Sequence, residues 1–347
     1  MRIAQVAPLQ VAVPPTKYGG TERVIANLTD ALVEMGHDVT LYAAGDSHTR
    51  ARLVPFVPQA LTFDPGIDVY SYHVALLAEV YRHAGEYDVI HSHLDYLTLP
   101  FAAATATPTV ITLHLRLDTS GQMLAMRAYP DANYVSISDS QRAALPDVHW
   151  AATVYHGIDV DGFPFYPDPG DYLAFIGRIS PEKGPIQAIE IAKAAGMRLK
   201  IGAKVDPKDR KFFKEEVEPL LRDPLVEFLG PVDERKKRDL MGHALALLLP
   251  IDWPEPFGMV FIEALACGTP VLTRPCGSVP EILRDGVTGC ARADIRELAA
   301  CVREVAGISR AGCRAYVEER FSSERMAGDY LAVYSALAHS RSQGRMV

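Results

Sequence analysis

Short apolar runs alternate with amphipathic helical stretches along the whole chain, and this alternation constrains the fold more than any other feature. A strand buried on both faces reads as an unbroken apolar run. Strands of that kind separated by helices build parallel sheets covered on both faces. "RIAQVAPL" is such a strand, followed by the helical "TERVIANLTDALVEMG", which Gly36 ends, and then by "VTLYAA". Further strands are expected at "YDVIHSH", "TVITLHL", "NYVSIS" and "ATVYHG". The pattern restarts at "YLAFIG", with a helix after Lys183, and continues through "LKIGAK", "VEFLGP", "LALLLP" and "PVLTRP". Between the two series, "GIDVDGFPFYPDPGD" is rich in Pro, Gly and Asp and reads as a linker.

The expectation is an α/β chain of two doubly wound, Rossmann-like parallel-sheet domains, at 1–160 and 170–322, with a linker over 158–170. The tail "FSSERMAGDYLAVYSALAHS" reads as a last helix of about 17 residues with Ser322 or Ser323 as its N-cap. In doubly wound sheets, ligands sit beyond the carboxyl ends of the strands. With two such domains, the cleft that they face is the expected site.

A formal net charge of -8 argues against nucleic acid as the main partner, because phosphate backbones want a basic face. The one dense basic run, "ERKKRD" at 234–239, is fenced by acids and reads as a solvated helix face. Cys267, Cys276, Cys290, Cys301 and Cys313 show no CxxC spacing, which suggests free thiols in a reducing compartment. The opening apolar run is broken by Gln5 and Pro8 and reads as a strand, not a signal peptide. No apolar run approaches the roughly 18 residues of a membrane span. A cytoplasmic protein without a transmembrane segment is expected, compatible with peripheral membrane contact.

The chemistry concentrates in "EPFGMVFIEALACGTPVLT", from Glu255 to Thr273. Between Pro256 and Thr273, Glu263 is the only charged residue. A buried carboxylate needs a partner or gives up its charge. Glu255 lies after the strand "LALLLP" and before a helix expected to begin near Phe257, whose free N–H groups form an anion site. Glu263 lies about two turns, or about 11 Å, further on, too far to share a proton with Glu255. The spacing suits an extended ligand such as a nucleotide sugar. Sugar hydroxyls would lie near Glu255, a diphosphate on the amides and ribose hydroxyls on Glu263. A buried ion pair for Glu263 and a capping role for Glu255 stay open as the structural alternative.

Arg178 and Lys183, in "GRISPEKG", would supply positive charge for a diphosphate leaving group, or else form ordinary salt bridges. Gly19 and Gly20, in "KYGGTE", permit a tight loop that a ligand could approach before a helix starting at Thr21, or a plain left-handed turn. His114 ends an apolar strand, where its imidazole could donate to a sugar hydroxyl. His91 and His93 share one strand face, and all three histidines could equally be structural. No cluster supplies a four-ligand metal set, so no metal and no cofactor are expected. "DVD" at 159–161 falls in the linker, and "SISDS" lacks a nucleophile elbow, so neither is taken as a site.

The sequence resembles the family 4 retaining glycosyltransferases of the GT-B fold over essentially its whole length. The resemblance is carried by "YGGTERV", "MGHDVTLYA", "DVIHSHLD", "VITLH", "VYHGID", "GRISPEKG", "FLGPV", "EPFGMVFIEALACGTPV", "SVPEILRDGVTG" and "FSSERMAGDYLAVY". It implies a nucleotide-sugar donor on the C-terminal domain and an acceptor on the N-terminal domain, with retention at the anomeric carbon. It also implies that the last helix, 323–347, crosses back to the N-terminal domain. Residue by residue, it places Arg178 and Lys183 on the diphosphate and Glu263 on the ribose. Glu255, with the Phe257, Gly258 and Met259 backbone, faces the donor sugar and phosphates. Gly19 and Gly20 line the cleft, and His114 touches the transferred sugar.

Two departures stand out. Gly277–Ser278 replaces a common Gly pair, so Ser278 takes the place of a residue free to adopt positive φ. Arg116 adds a cation near the acceptor side, which would favour an anionic acceptor. The donor expected first is UDP-glucose and second GDP-mannose, with a small-molecule, glycan or lipid-linked acceptor and front-face displacement without metal. The alternatives are a GT-B epimerase or phosphorylase, and a non-catalytic sugar-binding protein. An NAD-linked oxidoreductase lacks its GxGxxG signature.

Overall fold

The computed structural model describes residues 1–16, 19–64 and 66–344. The chain divides into two compact units, Met1–Ile158 with Ser323–Val347, and Asp159–Ser322. The first holds β1 (Arg2–Val6), β2 (Asp38–Ala44), β3 (Arg52–Val57), β4 (Val89–Ser92), β5 (Thr109–Thr112), β6 (Asn133–Ser136) and β7 (Trp150–Thr153). The second holds β8 (Tyr172–Arg178), β9 (Arg198–Lys204), β10 (Val226–Gly230), β11 (Ala246–Leu249), β12 (Val271–Thr273) and β13 (Gly289–Ala291).

The sheet orders are β3-β2-β1-β4-β5-β6-β7 and β10-β9-β8-β11-β12-β13, with every strand pairing parallel. Each is a doubly wound sheet in which the order reverses once, between β1 and β4 and between β8 and β11. These reversals open crevices at the strands' carboxyl ends, where such sheets bind ligands. The two central strands are buried along most of their length, as the apolar runs require.

β3 and β13 were not expected from the sequence. β3 carries Arg52 and Pro55 and is only partly buried, and Pro is tolerated there because the strand lies at a sheet edge. β13 has three residues, too few for a periodic signal. The helix after β1 spans Gly20–Glu34, one residue earlier than expected, and buries Val24, Ile25, Leu28 and Leu32.

The last helix, Ser323–Gly344, is 22 residues long and forms part of the first unit. It is pinned there by Ser323 N–H to the Ile158 carbonyl at 2.9 Å. Arg325 adds bonds to the carbonyls of Tyr155 and His156 at 2.7 and 3.0 Å. Tyr330 and Tyr334, on the same helix, are fully buried.

The expectation of five free thiols is corrected by one pair. Cys290 on β13 is joined to Cys301 on the helix Ile295–Glu304, while Cys267, Cys276 and Cys313 are free. The pairing depends on β13, the strand that the sequence did not reveal. Glu304 lies beside these two sulfurs, but they are bonded to each other and are not available as thiolates.

Candidate active site

In the second unit the two strands flanking the reversal, β8 and β11, deliver the expected residues. Lys183 follows β8 in a short turn, and its Nζ forms an ion pair with Glu255 Oε2 after β11. Trp253 Nε1 donates to that same oxygen at 2.7 Å, and Lys183 Nζ lies 4.7 Å from the centre of the Trp253 ring. Both contacts use Oε2, so Glu255 Oε1 has no protein partner among the described residues. The pair is largely buried, with side chains 16% and 13% exposed.

Three backbone loops converge to hold this cluster. Asp252 N–H donates to the Glu182 carbonyl at 2.9 Å, tying the β11 loop to the β8 loop. Ser278 N–H donates to the Glu255 carbonyl at 3.0 Å, and its hydroxyl donates to the Phe257 carbonyl at 2.8 Å. Gly277 makes the close approach, since a Cβ there would lie 2.4 Å from Glu255 N, at φ +61°. Ser278 itself has φ -74°, so the serine sits where no positive φ is needed. The departure adds a loop-fixing hydroxyl.

The helix carrying Glu263 spans Met259–Ala266, two residues later than expected, because Gly258 holds the left-handed cap at φ +89°. Glu263 is thus just over one turn inside. Its side chain is 5% exposed, and Lys237 Nζ lies 3.1 Å from its Oε2. Lys237 comes from the run expected to be a solvated face, and it also meets Glu234 at 3.0 Å. It shares a helix side with Leu240 and Met241, both buried, and that three- and four-residue spacing is the signal that would have found it.

Arg178 ends β8 amid three carboxylates. It forms an ion pair with Glu182 and lies 3.7 Å from Asp206 and 3.5 Å from Asp209. A diphosphate approaching Arg178 has to share it with these acids, whereas Lys183 has one carboxylate neighbour among the described residues.

In the first unit, Gly19 is the cap of the Gly20–Glu34 helix, and a Cβ there would lie 2.8 Å from Pro15 Cβ. Gly20 is an exposed first-turn residue in open space. Lys17 and Tyr18 of the same motif lie outside the described residues. His114 follows β5 and meets His93 ring to ring, Nε2 to Nδ1 at 2.8 Å. His93 Nε2 contacts Gln5 Oε1 at 2.9 Å, and Gln5 Nε2 donates to the Tyr334 hydroxyl at 3.3 Å. His91 lies between Tyr334 and Thr112, 2.7 Å from each hydroxyl. Burial holds His91 and His93 well below the ordinary histidine range and His114 down to about 3, so the rings are neutral at pH 7. His114 Nδ1 is buried without a hydrogen-bond partner among the described residues.

Arg116 is paired with Asp118, which offsets the cation expected to favour an anionic acceptor. Asp95, not singled out from the sequence, lines a small cavity with Arg116, and burial pushes its carboxyl up to about 7.

Two family models divide the chain between them. "Glycosyltransferase Family 4" matches residues 18–162, and "Glycosyl transferases group 1" matches residues 165–306. The chain belongs to glycosyltransferase family 4. It is an enzyme of glycosyl transfer with the GT-B fold. Among its relatives is the glycogen synthase of Mycobacterium tuberculosis, 26% identical over 91% of this chain and 89% of that one. The D-inositol 3-phosphate glycosyltransferase of Mycobacterium avium is 29% identical over 62% of this chain and 59% of its own. Among solved structures, AviGT4, a glycosyltransferase involved in avilamycin A biosynthesis, superposes with a TM-score of 0.76. The two are 26% identical, and 98% of each chain is covered. HepE of Anabaena in complex with UDP-glucose has the same fold, with a TM-score of 0.71 at 18% identity, covering 99% of this chain and 100% of that one. No helix among the described residues is long and apolar enough to cross a membrane.

Proposed function

We propose that this family 4 glycosyltransferase moves a hexose from a nucleoside-diphosphate sugar to an acceptor hydroxyl with retention, and without a metal ion. The donor proposed is UDP-glucose, with GDP-mannose second; the likeness to HepE, whose structure holds UDP-glucose, favours that order. The observation that carries the reading is the Lys183–Glu255–Trp253 cluster at the β8/β11 reversal, with Glu263 further along the same segment. Lys183, the amides at the start of the Met259–Ala266 helix and Arg178 would stabilise the departing diphosphate, where negative charge grows as the glycosidic bond breaks. Glu255 Oε1 would accept from a sugar hydroxyl, Glu263 from the ribose, and His114 would contact a substrate hydroxyl. The acceptor oxygen bonds to the anomeric carbon on the face that the phosphate leaves, and its proton passes to that phosphate.

The test is turnover of UDP-glucose and GDP-mannose against a panel of hydroxyl acceptors, with and without EDTA, reading the product's anomeric configuration by NMR. The expected result is a retained anomer and EDTA-insensitive transfer. An inverted product, or activity abolished by EDTA and restored by Mn²⁺, would refute it. Conversion of a nucleotide sugar without any acceptor would point to the epimerase reading. Thermal shift guides the choice of base, since a ligand at 100 times its Kd stabilises by about 2.7 kcal/mol.

A further inference from the structure

The buried polar chain in the first unit leaves His114 with one defined role. Gln5 sits on β1, beside His91 of β4 in the sheet register. Its amide nitrogen donates to the Tyr334 hydroxyl, so its Oε1 is the atom facing His93 Nε2, and only a protonated Nε2 can satisfy it. A neutral His93 then has a bare Nδ1. The 2.8 Å contact from that Nδ1 to His114 Nε2 therefore requires the His114 proton on Nε2. His114 is left with a bare Nδ1, buried and unpartnered among the described residues. The same direction carries to the far end. Tyr334 accepts from Gln5 and gives its own proton to His91 Nδ1, and His91 Nε2–H donates to Thr112. Thr112 in turn meets the Tyr330 hydroxyl at 2.9 Å, where the chain ends.

We propose that Gln5 and His93 are positioning residues that fix the tautomer of His114, making its Nδ1 an obligatory hydrogen-bond acceptor for a substrate hydroxyl. The sequence suggested an imidazole that donates; the chain of contacts makes it one that receives. A group that cannot donate, such as fluorine or hydrogen in place of that hydroxyl, is thereby selected against. This deepens the reading of His114 given above and rests on it.

The tautomer is measured without substrate, on the full chain carrying ring-¹⁵N histidine, with His114 assigned through His114→Gln. Wild type should show His114 with a protonated Nε2 and a bare Nδ1 from pH 6 to pH 8. Gln5→Met removes the acceptor that sets the chain's direction. The milder Tyr334→Phe removes only the hydroxyl that orients the amide, which protects the test if Gln5→Met folds poorly. In either variant His114 should become a mixture of tautomers, and kcat should fall more than the KM for UDP-glucose rises. A protonated Nδ1 in wild type, or an unchanged tautomer in both variants, overturns the proposal. A merely structural role would lower stability and leave the tautomer alone.

The second arm compares UDP-glucose with its monodeoxyfluoro analogues at each ring hydroxyl, in wild type and in His114→Ala. At one position the fluorine penalty in kcat/KM should be about 10-fold larger in wild type than in the variant. Equal penalties at every position would overturn the contact with substrate while the fixed tautomer stood. No glycosyl transfer at all would instead sink the proposed function.

Discussion

Glu263→Gln separates the two partners that a buried carboxylate at this point can have. In the structure the protein partner is Lys237, 3.1 Å from Glu263 Oε2, with side chains 5% and 14% exposed. Gln keeps an acceptor for Lys237, and Lys237 keeps Glu234 at 3.0 Å. The change therefore replaces a charged hydrogen bond by a neutral one, a loss of about 1–2 kcal/mol. In domains of this size that lowers Tm by roughly 2–8 °C. If Glu263 also holds the donor ribose, the Kd for UDP should rise by about 10- to 100-fold, from a further 1.5–3 kcal/mol of charged hydrogen bonding. Lys237→Met strands the carboxylate without its counter-ion and should cost about 3–5 kcal/mol. The double variant should recover part of that loss. The assays are Tm by calorimetry and UDP Kd by titration calorimetry well below the lowest Tm. A Tm drop with Kd unchanged would falsify the ribose assignment. An unchanged Tm in both single variants would show that the ion pair contributes nothing.

Lys183→Ala should lose about 10²–10³ in kcat, with a smaller change in nucleotide affinity, because its contact strengthens as charge develops on the diphosphate. Arg178→Ala should move the same way, and a kcat left at the wild-type value in either variant contradicts the role. Gly277→Ala puts a methyl 2.4 Å from Glu255 N, so the loop must shift; displacement by about 1 Å should cut transfer by roughly 10²-fold while circular dichroism stays native. Wild-type transfer in that variant would show that the loop does not set Glu255. Stability should fall below neutral pH. His91, His93 and His114 have folded pKa values depressed by burial, so the unfolded chain binds more protons there, and each ring loses about 1.4 kcal/mol per pH unit as pH drops below about 6.5. Asp95, pushed up to about 7, works in the opposite sense for one proton, which leaves a net loss. Equal Tm values at pH 7.5 and pH 5.5 would refute the buried neutral histidines.

Period and composition reveal an element's own faces but not what those faces meet. That is why the two sheets and the β8 and β11 loops were legible, while β3, with its edge proline, and the three-residue β13 were not. Glu263 stood out as a lone charge in an apolar helix, yet its partner lay in a run that looked like solvated surface. Lys237 is the basic residue of that run that lies three before Leu240 and four before Met241. Gln5 was visible as the polar break in the first strand. Its hydrogen bond to Tyr334 joins residues 329 positions apart, and no local pattern encodes such a contact. Ser278 was noticed as a substitution but understood only when its hydroxyl was seen on the Phe257 carbonyl.

The return of the last helix to the first unit sets an order of assembly during synthesis. The second unit is one continuous segment, Asp159–Ser322, and has all its strands once that segment is made. The strands of the first unit are made earlier, yet that unit is completed only with the helix Ser323–Gly344. Until the ribosome has passed Tyr334, Gln5, His91 and Thr112 lack the phenols that satisfy them, and the interior lacks two of its largest buried rings. Domains usually fold from the amino end as they emerge. Here the later-made unit should acquire protease resistance first, and the earlier-made one should wait until the helix Ser323–Gly344 has been synthesised.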